Sequence, residues 1–154
     1  MRLLVTGSRN WSDVASVERE IVRAGAPLTV IHGDASGADR LAADFATSIM
    51  HEVIPFPANW SADGRAAGPI RNARMLRDGR PDRGLAFGAL WKRHTTIVDG
   101  MGAIPGWKTT GTGGMVSLML RAGLPVRWVA APDAPAVDLT KMPGPPGREG
   151  GGGT

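Results

Sequence analysis

The sequence predicts an α/β domain in which helices cover both faces of a parallel sheet of about five strands. Three observations predict it. Short apolar runs of strand length alternate with amphipathic stretches of helix length five times over. Small, glycine-rich turns sit where strands would pass into helices. The 154 residues, 42% hydrophobic and 21% charged, suit one core and are too few for two domains of ordinary size. Right-handed crossovers then leave a Rossmann-like three-layer sandwich as the leading topology.

The elements follow in order. Leu3-Leu4-Val5 reads as a strand running into Gly7-Ser8-Arg9. Val14 to Ala24 carries Val14, Val17, Ile21 and Val22 at helical spacing, with Ser12 as its cap if the turn before it is a plain strand-to-helix turn. Thr29-Val30-Ile31 is a second strand, ending at Gly33-Asp34-Ala35-Ser36-Gly37, and Ala38 to Met50 a second helix with Leu41, Phe45 and Ile49 four apart. Glu52 to Phe56 is a third strand. A loop through Asn59 and Trp60 leads to Gly68-Pro69, where proline suits the first turn of a helix reaching about Arg77. Leu85-Ala86-Phe87 is a fourth strand, Met115 to Ala122 a fourth helix and Val126 to Val129 a fifth strand. The folded domain is expected over 1–130, with an insertion at about 88–110. Residues 131–154, with five prolines and six glycines, bury too little apolar surface to offset chain entropy and read as a flexible tail.

Composition excludes several classes of function. With no cysteine there are no disulfides, thiolate zinc sites or cysteine nucleophiles. His32, His51 and His94 are dispersed, so neither a metal site nor a resident cofactor is expected. No apolar run approaches the roughly 18 residues of a membrane span, and the start lacks the apolar stretch of a signal peptide. The expected address is cytoplasmic, with no membrane partner. The net charge of +4 hides 15 arginines against 3 lysines, which reads either as coding bias or as a preference for a group that pairs bidentately with phosphate. Six of these arginines cluster between Arg65 and Arg83.

In such sheets ligands bind beyond the carboxyl ends of the strands, and here those ends carry the chemistry. Gly7-Ser8-Arg9 gives a tight turn with amides open to an anion, or a plain strand-to-helix turn. Gly33, Asp34, Ser36 and Gly37 form a second such turn. Asp39 reads either as part of a capping-box variant with Ser36 or as an acceptor for a ribose or base; His32 reads as packed. Arg71 and Asn72 fall in the expected first turn of their helix, where a cation opposes the helix dipole and an anionic ligand would remove that objection. Gly111, Thr112 and Gly113 supply amides and a hydroxyl for a phosphate, without the lysine of a P-loop. Trp60 is placed to stack on a base or to pack as a lid.

These motifs together resemble the SLOG superfamily, the Rossmann-like group that includes the lonely-guy phosphoribohydrolases and the DNA-processing protein DprA, and most of all its YspA-type branch. The resemblance rests on Leu4-Val5-Thr6-Gly7-Ser8-Arg9, Ile31-His32-Gly33-Asp34-Ala35-Ser36-Gly37-Ala38-Asp39, Phe56-Pro57-Ala58-Asn59-Trp60, Ala67-Gly68-Pro69-Ile70-Arg71-Asn72 with Met75-Leu76, and Gly111-Thr112 with Met115-Val116, and it spans Met1 to about Val129. It implies nucleotide-derived ligands at the strand ends, a tendency to form homo-oligomers, and a place in bacterial and phage conflict. Lonely-guy enzymes carry a glutamate three residues after their Gly-Thr threonine; Met115 stands there in this chain. The insertion at 88–110 replaces an expected short loop and reads as a lid, a partner surface or a disordered span.

Three functions are thereby ranked. The first is a sensor or sequestering protein for a nucleotide-derived small molecule, such as an ADP-ribose-like or cyclic-nucleotide signal. The second is a hydrolase of nucleotide N-glycosidic bonds, with Asp39 as its catalytic carboxylate and Asp34 a weaker candidate. The third is binding of single-stranded DNA along Arg65 to Arg83, a nucleic-acid role that would call for aromatic platforms beside the cations.

Overall fold

Alternation of apolar side chains along the strands sets the layers. In a strand, successive residues point to opposite faces. Leu3 and Val5 of β1 (Arg2–Gly7), Val30 of β2 (Thr29–His32), and Leu85 and Phe87 of β4 (Arg83–Phe87) accordingly belong to one core. Leu4, Ile31 and Ala86, each one step along, belong to the other. A computed structural model describes residues 1–98 and 102–147.

The first core is closed by α1 (Val14–Ala24) and α2 (Ala38–Ser48), through Val17, Ile21, Ala42 and Ala46. The second is closed by α4 (Ala67–Gly79) and α5 (Gly111–Arg121), through Met75, Met115, Val116 and Met119. Between β3 (Glu52–Pro55) and α4 come a single helical turn, α3 (Trp60–Asp63), and a 3₁₀ turn over Gly64–Ala66. With β7 (Val126–Val129) and β8 (Val137–Leu139) the sheet runs β3-β2-β1-β4-β7-β8. Its first five members are parallel, and β8 is antiparallel to β7. The Rossmann-like sandwich is therefore the observed fold, with six strands instead of about five. No helix among the described residues is long and apolar enough to cross a membrane, and none of their His, Asp or Glu side chains group as a metal site.

Two segments depart from what the sequence predicts. Within 131–154, expected to be a flexible tail, Val137–Leu139 pair with β7 as an edge strand, while 148–154 lie outside the described residues. Leu139 pairs with Val126 and is buried, Ala136 packs on the first core and Met142 on the second. Arg127 joins the tail to α1, reaching Glu20 at 2.5 Å and Asp138 at 3.4 Å. The physical reason is the open edge of β7, whose unpaired amides and carbonyls reward any strand laid beside them. Proline and glycine content describes the tail's entropy and is blind to that edge. In the insertion, β5 (Trp91–Val98) and β6 (Gly102–Thr109) pair as an antiparallel hairpin, a sheet of its own. At its root the Trp91 indole donates to the Pro143 carbonyl at 2.8 Å.

Candidate functional site

The carboxyl ends of β1, β2 and β4 converge on the start of α2, and the backbone there is closely packed. The Ser8 amide donates to Phe87 O at 2.9 Å, and Ser8 O accepts from the Trp11 and Ala38 amides. Gly37 turns the chain into α2 at φ +78, and a Cβ there would collide with the Ser8 carbonyl, so only glycine serves. Ser36 donates to Arg9 O at 3.4 Å, and the Ser8 hydroxyl accepts from the Asn10 amide. Asp34 takes a left-handed conformation, φ 53, which aspartate tolerates better than most residues. Its amide donates to Nδ1 of buried His32, and burial holds that imidazole below its ordinary pKa. The packed reading of His32 is the observed one.

Asp39 is buried, and Oδ2 accepts from the Gly33 amide at 2.9 Å and from Ala35 at 3.5 Å. Burial pushes its carboxyl up to about 6, against the two amides and the Arg71 charge, which pull it down. This is neither a capping box, since Gly37 is the helix cap and gives no side chain, nor a group offered outward. The carboxylate braces the turn between β2 and α2. Ser12 does not cap α1 either; Asp13 takes that position.

Arg71 lies in the second turn of α4, because the helix begins at Ala67, so the dipole argument for a first-turn cation does not hold. Its guanidinium is half-buried and donates to the Gly33 carbonyl and, through Nε at 3.0 Å, to Asn72 Oδ1. Asn72 in turn donates to the Gly111 carbonyl at 3.4 Å. A chain of hydrogen bonds thus runs from the end of β2 across α4 to the start of α5. Burial lowers the Arg71 pKa, Asp39 raises it, and the charge of Arg9 lowers it again. Arg9 itself lies 5.3 Å from the Trp60 ring centroid, a cation–π contact that sets the half-exposed indole over the β1 turn. Neither Arg9 nor Arg71 forms a salt bridge among the described residues.

The start of α5 departs from expectation in one respect. Thr110, absent from the residues that the sequence singles out, caps the helix: its hydroxyl accepts from the Gly113 amide at 2.9 Å and donates to Ala89 O at 2.7 Å. A threonine directly before a glycine-rich helix start is the signal that would have found it. Gly113 therefore gives its amide to the cap, and its missing side chain makes room for the Leu90 carbonyl. The amides of Gly111 and Thr112 precede the first intrahelical bond, which is Gly114 to Thr110. Gly111 is exposed with open space around its α-carbon, whereas Thr112 is buried.

Met115, at the position of the lonely-guy glutamate, is fully buried beside Leu4, Met75 and Met119. The remaining α4 arginines face solvent, with Arg77 paired to Asp78 at 2.8 Å and Arg74 set 5.8 Å from the Phe56 ring. Two cavities, of about 330 Å³ and 540 Å³, lie at the other end of the sheet around α1, β7 and the tail, and neither touches these turns.

Residues 1–62, which carry the β1 and β2 turns, match the YspA, cpYpsA-related SLOG family. Over 95 residues the chain is 40% identical to the gene 61 protein of Mycobacterium phage D29, covering 56% of this chain and 75% of that relative. Family membership points to a nucleotide-related function. With the turns at the ends of β1 and β2 built as described and the match running through both, this chain belongs to the SLOG superfamily, in its YspA-type branch.

Proposed function

We propose that the chain binds a nucleotide-derived ligand at the strand ends and acts as a sensor or sequestering protein, with the phosphate between Arg9 and Arg71. The observation that carries this reading is the pair itself. Two guanidiniums come from different elements, the charge of Arg9 lowers the Arg71 pKa against the stronger pull of Asp39, and among the described residues neither arginine forms a salt bridge. A phosphate relieves that repulsion and suits the planar fork of each. The amides of Gly111 and Thr112 add to the same anionic preference at a helix start. Trp60, held by Arg9, offers a face for a base.

Cleavage of an N-glycosidic bond receives less support. It asks for a carboxylate beside the sugar, yet Asp39 gives an oxygen to two backbone amides and Met115 lies in the core. Isothermal calorimetry with ADP-ribose derivatives, cyclic nucleotides and nucleoside monophosphates tests the binding reading. At least one should give a saturable heat that Gly111→Trp abolishes at an unchanged melting temperature, since a Cβ at Gly111 meets open space. Heats no larger than those of that variant across the set would overturn it.

A further inference from the structure

We propose that the β5–β6 hairpin, which springs from the strand-end edge between β4 and α5, is an arm that docks in a groove of duplex DNA, a partner other than the nucleotide-derived ligand. The ribbon forms a sheet of two strands, each eight residues long, or about 27 Å at roughly 3.4 Å per residue. A strand-to-helix connection in such folds needs only about 2–6 residues, and a lone two-stranded ribbon is marginally stable in water. Apart from its own pairing, the element it packs against most is α5. Its retention therefore calls for a surface to meet.

The charges say what kind. Lys92 stands directly across from Lys108, and like charges at opposed positions destabilise a hairpin. One residue along, Arg93 faces Trp107 across the strands, with its guanidinium 4.7 Å from the ring centroid. Lys92, Arg93, His94 and Lys108 are all exposed, and residues 91–95 and 106–109 include no carboxylate. Because successive residues alternate, the Lys92–Lys108 pair lies on one face of the ribbon and Arg93 on the other. An acidic protein surface would meet only one of these faces. A groove walled by phosphates meets both, and the major groove of B-DNA admits a two-stranded ribbon, whereas that of A-form RNA is too narrow for side chains to read.

Fluorescence anisotropy of the full chain with a labelled DNA duplex, at low and moderate salt, tests this. The informative variant is Lys92→Glu, which places opposite charges across the strands, so it favours the hairpin while removing its repulsive pair. Saturable binding that weakens with salt is expected, with Lys92→Glu binding about tenfold or more weakly at an undiminished melting temperature. Each ionic bond to phosphate that the variant no longer makes should lower the salt slope by about 0.9. Arg77→Ala, on α4, should bind as wild type does. The proposal is overturned by absence of duplex binding or by full binding in Lys92→Glu. It is overturned equally if single-stranded DNA binds as tightly as duplex, which places the interaction elsewhere, or if polyglutamate competes as well as unlabelled duplex, which points to an acidic protein partner.

Discussion

Arg71 holds the Gly33 carbonyl and the Asn72 amide oxygen while its charge faces that of Arg9, so removing it acts on a ligand and on the turn together. Arg71→Ala should weaken nucleotide binding about ten- to a hundred-fold, from the roughly 1.5–3 kcal/mol of a charge-assisted bond. Arg77→Ala, which breaks only an exposed pair with Asp78, should change it less than about twofold. Calorimetry on both variants checks this, and equal losses would indicate diffuse electrostatics. Asp39 carries a pH prediction. Between its ordinary value of 3.8 and about 6, the folded chain keeps a proton that the unfolded chain has released. Stability from this group is thus fully present below about pH 4 and lost as pH rises through about 6, a fall on the order of 3 kcal/mol. Asp39→Asn removes the titration, so the melting temperature of wild type relative to the variant should be higher at pH 4 than at pH 7. Parallel curves over that range would contradict the buried, protonatable carboxyl.

At the scale of elements, β8 is the testable piece. It covers the edge of β7, buries Leu139 and brings Asp138 to Arg127. Leu139→Ala should cost about 2 kcal/mol, the low end for a buried leucine because an edge strand relaxes more readily than a core. That corresponds to roughly 5–8 °C in a domain of this size. Deleting 131–154 should lower the melting temperature at least as far, measured by circular dichroism. A drop smaller than that of Leu139→Ala would show the strand contributing nothing beyond one side chain. Composition concealed all this, since Val137, Leu139 and Met142 are few among prolines and acquire value only beside the sheet.

For the whole molecule, stability should be graded outward from the sheet centre. Leu4 and Val5 of β1 and Ala86 and Phe87 of β4 are fully buried, with strands paired on both sides. Among the described residues the β5–β6 ribbon pairs with no third strand, and it carries an exposed, like-charged pair. Amide hydrogen exchange should therefore be slowest in β1 and β4 and faster by orders of magnitude in β5 and β6, reflecting opening of the ribbon without the sheet. Added DNA duplex should slow the ribbon amides selectively.

By itself the sequence determined the alternation of strand and helix, the parallel sheet and the cluster of glycine, hydroxyl and arginine residues at its carboxyl edge. These are properties of period and punctuation, carried within ten or fifteen residues of chain: α1 and β7 fall where spacing put them, at Val14–Ala24 and Val126–Val129. What the tertiary structure alone decided is which partner each polar group takes. Arg71 finds Gly33 38 residues away, and Arg127 finds Glu20 107 residues away. Asp39 turns back to its own loop, Thr110 claims the Gly113 amide, and Met115 faces the core. The reason is physical. A hydrophobic period fixes which face of an element is buried, but a hydrogen bond is satisfied by whatever donor or acceptor the packing of distant elements brings within about 3 Å, and no local pattern records that distance.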